Sequence, residues 1–221
     1  MSPWSHLRRP RPVLDLRLYL VLDPELCGGL EGMVRVTRGA LAGGATLVQL
    51  RAPDWKKRRF LEAAQAILPL CRAAEVPFIV NDHVDVALAV GAEGVHVGQD
   101  DLPPTEARRL MGPGALVGLS IVAYPELAAV EALEPGTVDY LGVGPIFPTG
   151  TKPDAAPAIG VEGLRAIVHG TPLPTVAIGG IGLGNASSVY ATGTQGVAVV
   201  SAICTARDPK LAATHFRDLV P

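Results

Sequence analysis

Cysteine is scarce in this 221-residue sequence: Cys27, Cys71 and Cys204 stand far apart and none forms a CxxC pair. An odd, sparse set is not a disulfide framework, so a reducing compartment, the cytoplasm, is the expected location. Positive charge is not in surplus either. The formal net charge is −2, which argues against general nucleic-acid binding and leaves room only for a local basic pocket. No run reaches the ~18 consecutive apolar residues of a membrane helix. The HExxH and CxxC patterns of zinc sites are missing, as is the GxxxxGK[ST] phosphate loop. Gly180-Ile181-Gly182-Leu183-Gly184 has the wrong spacing for a dinucleotide fingerprint and no acidic partner at the expected offset. No Ser-His-Asp grouping can be picked out by spacing.

What is present is apolar residue in quantity, 48% of the chain, enough for one large core. Residues 1–17, with Arg8, Arg9, Pro10, Arg11 and Pro12, read as a flexible tail without an apolar segment suited to secretion. From Leu18 to the end, residues 18–221, one unit recurs: a short apolar run, a polar or glycine-marked turn, then a helical pattern. The predicted strands are Leu18–Leu22, Thr46–Leu50, Phe78–Val80, Gly94–Val97, Leu116–Leu119, Tyr140–Val143, Thr175–Ile178 and Val197–Val200. Several do not alternate apolar with polar residues, as expected for parallel strands covered on both faces. Between them helical spacing predicts Leu30–Leu41, Trp55–Ala74, Pro104–Leu110, Pro125–Leu133, Val161–Val168, Ala186–Ala191 and Leu211–Leu219. Asp208 and Pro209 fit the N-cap and first position of the last helix. Eight β-α cycles point to an α/β fold, a single (β/α)8 or TIM barrel, although an open sheet fits the local pattern too.

A barrel of this kind does its chemistry at the C-terminal ends of its strands. Asp82 and Asp101, from neighbouring strand ends, could share a hard cation such as Mg2+ through two carboxylates and substrate phosphates. Arg51 and Lys152 would supply positive charge to those phosphates, Arg51 through a bidentate fork. The segment Gly144–Lys152 is rich in glycine, proline and hydroxyls and suits a loop that wraps a ligand. Gly179-Gly180 and Val200-Ser201 follow strands 7 and 8, where backbone N–H groups often hold a phosphate. His96 reads as a structural histidine at the end of strand 4. Read from residues alone, these ends form a metal-assisted diphosphate site beside a second phosphate site; the organic substrate stays open.

At these positions the chain resembles the thiamine-phosphate synthase family. The resemblance rests on QLR at 49–51, ND at 81–82, GVHVGQDDLP at 94–103, GLS at 118–120, DYLGVGPIFPTGTK at 139–152, AIGGI at 177–181 and VAVVSAI at 197–203. It implies a transferase that condenses an aminopyrimidine methyl diphosphate with a thiazole phosphate, releasing pyrophosphate with the help of Mg2+. It further implies that Asp82 and Asp101 bind the metal, and that Gln49, Arg51, Asn81, Ser120 and Lys152 bind the pyrimidine diphosphate. Thr149, Thr151, Gly180, Val200 and Ser201 would bind the thiazole phosphate. Arg51, Ser120 and Lys152 would act in the chemical step. The implied partners are these small molecules, without nucleic acid or membrane; assembly into a homo-oligomer is compatible with the sequence.

One position departs from the family pattern. Two residues after Arg51, where a lysine is usual, stands Pro53. Lys56 or Lys57, at the start of the next helix, is the expected substitute. Two rival readings are a thiazole tautomerase of the same superfamily, which would carry histidine where this chain has Val122, and a non-catalytic ligand-binding regulator, supported only by Pro53.

Overall fold

In the computed structural model, which describes residues 11–151 and 156–221, the chain forms eight parallel strands closed in sequence order. They are β1 (Leu18–Leu22), β2 (Leu47–Leu50), β3 (Phe78–Asn81), β4 (Gly94–Val97), β5 (Leu116–Ile121), β6 (Tyr140–Val143), β7 (Thr175–Ile178) and β8 (Gly196–Val199). The ring closes where β8 pairs with β1, Leu18 opposite Val197 and Leu20 opposite Val199. The (β/α)8 barrel expected from the sequence is therefore the fold.

Alternation along each strand divides the core in two. Outward residues such as Leu18, Leu20, Val48, Val80, Val95 and Val143 are fully buried under the helices. Burying an aliphatic side chain of this size stabilises by about 1.5–3 kcal/mol relative to exposure, which is why strands covered on both faces show little polar alternation. The inward set, Tyr19, Val21, Leu47, Ile79, Leu116, Tyr140, Val176 and Ala198, fills the barrel. Leu14 and Leu16, ahead of β1, pack against this inner cluster, and the Arg11 guanidinium pairs with Asp139.

The surrounding helices are α1 (Pro24–Cys27), α2 (Gly29–Ala42), α3 (Lys57–Ala73), α4 (Val84–Val90), α5 (Pro104–Met111), α6 (Leu127–Glu131), α7 (Gly160–Gly170), α8 (Ala186–Tyr190), α9 (Ser201–Cys204) and α10 (Pro209–Asp218). The face of α3 that packs on the barrel carries Phe60, Ala63, Ala64, Ile67, Leu68 and Cys71, the positions its spacing predicts. At α10 the Asp208 carboxylate accepts from the Leu211 N–H and Pro209 opens the helix, satisfying one of the orphan donors of the first turn.

The structure departs from the sequence reading in several places. The helix α4 was not predicted: Val84-Asp85-Val86-Ala87-Leu88-Ala89-Val90 has one polar residue, so no amphipathic period marks it. The short α1 and α9 were not predicted as elements either. The segment predicted as one helix over Pro125–Leu133 splits into a 3-10 turn, Tyr124–Glu126, and α6. Strands β3 and β5 extend beyond their predicted ends, to Asn81 and Ile121. Polar Asn81 pairs with His96 and Ser120 with Gly142, so the ladder continues through side chains that sequence polarity assigns to loops.

Candidate active site

The C-terminal ends of the strands surround a cavity of about 370 Å³. Its floor is set by alternation. Gln49, Asn81, His96 and Ser120 are the last inward residues of β2 to β5, and three of them, Gln49, Asn81 and His96, are buried, at 4%, 8% and 7% exposure. Arg51 lies two residues beyond Gln49 and also lines the cavity, as a period of two requires. Among the described lining residues it is the one lysine or arginine.

Asp82 breaks the alternation. Following inward Asn81, its side chain would turn outward, yet both residues line the cavity. Its backbone is left-handed, φ 59°, a conformation asparagine and aspartate adopt more readily than other non-glycine residues. The Asp82 N–H donates to the His96 carbonyl at 2.9 Å, which ties the end of β3 to β4. Asp101 reaches the same cavity from the loop after β4, where its Oδ2 accepts from the Gly98 N–H at 2.8 Å. Gln99 donates to the Ser120 carbonyl at 2.7 Å, so this loop is fastened to β5.

The opposite wall comes from β6 to β8. Beyond a cis Gly144-Pro145 bond, the chain runs along the end of β7, with Ile146 N–H on the Ile178 carbonyl at 2.9 Å and Phe147 N–H on Gly179 at 3.0 Å. Gly179 and Gly180 have φ of 98° and 65°, and a Cβ at Gly180 would stand 2.7 Å from Phe147 Cβ. Close approach and left-handed backbone both demand glycine here. Thr149, Thr151, Gly180, Val200 and Ser201 all line the cavity, and the Thr151 N–H donates to Thr149 Oγ1 at 3.2 Å. Lys152 lies outside the described residues. The structure thus brings Gln49, Arg51, Asn81, Asp82, Asp101, Ser120, Thr149, Thr151, Gly180, Val200 and Ser201 to one cavity, as the sequence predicts.

One expectation is corrected. Lys56 and Lys57 are exposed and neither lines the cavity; Lys57 is paired with Asp85 of α4. Neither lysine therefore stands in the cavity where the lysine missing at Pro53 would be, and Lys57 is already held by a carboxylate. At the end of β5 the cavity meets the apolar Val122, which offers no imidazole for tautomerase chemistry.

Sequence reasoning missed the hydroxyls beneath the floor. Gln49 Nε2 donates to Tyr19 Oη at 2.6 Å. The Tyr19 and Tyr140 hydroxyls are 2.9 Å apart, Tyr140 Oη is 3.1 Å from His96 Nδ1, and His96 Nε2 is 2.8 Å from Ser120 Oγ. The available signal was a tyrosine on the inward face of each of two aliphatic strands. Burial raises both tyrosine pKa values, so both phenols are protonated. Burial pushes the His96 pKa down to about 4, against a weaker opposing pull from Asp101.

That shift has a consequence for stability. With a folded pKa of about 4 against ~6.5 unfolded, the unfolded chain binds more protons between these values. Stability therefore falls as pH drops through 6.5 and levels off below 4. This one group is expected to remove about 2 kcal/mol between pH 7 and 5. Urea unfolding of the metal-free protein at the two pH values checks it, with His96→Gln flattening the difference. An unchanged difference in that variant assigns the pH dependence to other groups.

A parallel barrel with acidic, cationic and hydroxyl side chains gathered at one mouth defines an enzyme acting on phosphorylated small molecules. Residues 18–203 match the family model described as thiamine monophosphate synthase. The thiamine-phosphate synthase of Laribacter hongkongensis is 61% identical over 199 residues, covering 90% of this chain and 92% of that protein. That of Azorhizobium caulinodans is 48% identical over 211 residues, covering 96% and 97%. The solved thiamine phosphate pyrophosphorylase from Pyrococcus furiosus superposes with a TM-score of 0.81 at 38% identity, covering 93% of this chain and 95% of that one. The chain belongs to the thiamine-phosphate synthase family, and its activity is that of a transferase of thiamine biosynthesis. No helix among the described residues is long and apolar enough to cross a membrane.

Proposed function

We propose that the cavity binds an aminopyrimidine methyl diphosphate over the ends of β2 to β5, binds a thiazole phosphate over β6 to β8, and joins them by dissociative substitution. In this reading Gln49, Arg51, Asn81, Ser120 and Lys152 hold the pyrimidine diphosphate, and Thr149, Thr151, Gly180, Val200 and Ser201 hold the thiazole phosphate or its carboxylated form, the latter losing CO2 as well before thiamine phosphate is released. Asp82 and Asp101 offer hard oxygen donors from neighbouring loops to one space, which fits Mg2+. Among the described residues no cluster of three or more His, Cys, Asp or Glu would hold a metal alone; two carboxylates leave the remaining positions to phosphate oxygens and water. Bound there, Mg2+ would neutralise charge gathering on the departing diphosphate.

The protein's own part is orientation and charge. Arg51 presents a planar fork to the diphosphate, with Lys152 as a second cation, and both gain strength as the C–O electron pair moves onto pyrophosphate. Ser120 holds the pyrimidine beside them. The thiazole phosphate, gripped by Thr149, Thr151 and the backbone at Gly180 and Ser201, sets the thiazole nitrogen against the electron-poor carbon. Its lone pair forms the new C–N bond, and holding both partners makes that capture a first-order step. No protein nucleophile is required. Buried free thiols at Cys27, Cys71 and Cys204 support a cytoplasmic setting.

The observation that carries the reading is the shared cavity of Arg51, Asp82, Asp101 and the Thr149–Thr151 loop. Purified protein given both substrates and Mg2+ is expected to release thiamine phosphate and pyrophosphate, and EDTA is expected to stop it. Thiazole isomerisation without joining, or binding without turnover, would overturn the proposal.

A further inference from the structure

We infer that Tyr19, Tyr140 and His96 are positioning residues: a buried relay that fixes which way the Ser120 hydroxyl points. The inference rests on the proposed contact of Gln49 and Ser120 with the pyrimidine substrate. Beneath the cavity, five side chains from β1, β2, β4, β5 and β6 run in an unbroken chain from Gln49 to Ser120, with steps of 2.6, 2.9, 3.1 and 2.8 Å. Gln49 Nε2 donates to Tyr19, so the Tyr19 O–H is left to donate to Tyr140, and the Tyr140 O–H to His96 Nδ1. An imidazole that accepts at Nδ1 and is neutral carries its proton on Nε2. That N–H donates to Ser120 Oγ, and the serine's own hydrogen turns into the cavity as a donor.

The two ends are thereby coupled. Gln49 keeps its carbonyl oxygen for the ligand as an acceptor while Ser120 is a donor, a complementary pair suited to an aminopyrimidine, which carries an amino donor beside a ring-nitrogen acceptor. The barrel makes room for the relay at two inward glycines. A Cβ at Gly118 would stand 2.2 Å from Tyr140 Cζ and 2.3 Å from His96 Nδ1, and one at Gly142 would stand 2.9 Å from His96 Cε1. Buried hydrogen-bond chains of this kind stiffen the groups at their ends because a flip at one member leaves another unpaired.

The test combines spectroscopy with a double-mutant cycle on the full chain. Nitrogen-15 spectra of the histidine-labelled protein are expected to show His96 in the Nε2–H form, and in Tyr140→Phe a mixture of both tautomers. Steady-state kinetics are expected to give about a 10-fold lower kcat/KM for Tyr140→Phe, the effect of losing one hydrogen bond, and no further loss when Tyr140→Phe is added to Ser120→Ala. His96→Gln, which keeps a donor near the Nε2 position, is expected to retain more activity than His96→Ala. An Nδ1–H tautomer in the wild type, or losses from Tyr140→Phe and Ser120→Ala that multiply, would overturn the relay. Full activity in Ser120→Ala would instead overturn the substrate contact on which it rests.

Discussion

Asp101→Asn is expected to lower turnover about 10³-fold, a loss typical of removing a group that stabilises developing charge, while leaving the unfolding midpoint where it was. Asparagine is the informative replacement. It retains an oxygen for the Gly98 N–H, which Asp101 Oδ2 now accepts at 2.8 Å, so the loop after β4 keeps its shape and only the negative charge is lost. Alanine removes both, and adds a stability loss of about 1 kcal/mol for the broken hydrogen bond. The same logic holds for Asp82, whose φ of 59° asparagine tolerates and alanine does not, at roughly 1–2 kcal/mol. If the carboxylates hold Mg2+, rate against Mg2+ concentration shifts to higher concentration in each Asn variant, and raised Mg2+ recovers part of the loss by mass action. Wild-type rates and an unshifted Mg2+ dependence in both variants would refute the metal role. The double variant should lose less than the product of the singles, since two ligands of one ion act as a unit.

How far the sequence reveals this molecule depends on the length scale of the signal. The strands were legible because each is an apolar run bounded by turns, and β1, β4, β6 and β7 begin and end where the runs do. The helix α3 was legible because its seventeen residues carry a full amphipathic period. The helix α4 was not, because a seven-residue helix with buried Val84, Val86 and Ala87 shows no polar stripe. The mouth of the barrel was legible because polar residues just after apolar runs have one place to go in this fold. Tyr19 and Tyr140 were not, since whether an inward tyrosine meets another depends on register across the barrel: Tyr19 and Tyr140 are 121 positions apart in the chain. The substitute cation expected at Lys56 or Lys57 does not line the cavity for a similar reason. Proximity in sequence put the pair near the mouth, but Asp85 on the neighbouring helix α4 claims Lys57.

Register also decides the largest expected effect on stability. Gly118→Ala is expected to cost about 3 kcal/mol, at the upper end for overpacking a tight interior, and to lower Tm by roughly 6–12 °C in a chain of this size. The ladders hold His96, Gly118 and Tyr140 side by side on β4, β5 and β6, so the added methyl, 2.2 Å from Tyr140 Cζ, cannot be relieved by sliding a strand without shifting every inward residue. Nor can the rings yield: Tyr140 Oη is held by both Tyr19 and His96. Removing the obstructing ring should rescue the defect. Gly118→Ala with Tyr140→Leu is expected to recover only part of the lost stability, because the methyl still stands 2.3 Å from His96 Nδ1, and activity stays low because the hydroxyl is gone. Gly150→Ala, where nothing among the described residues lies within 4 Å of the added Cβ, should leave Tm unchanged. Thermal unfolding of the three variants locates the obstacle at Gly118: a clash with the Tyr140 ring gives strong non-additivity with Tyr140, whereas an equal loss with and without that ring would place the obstacle at the His96 ring.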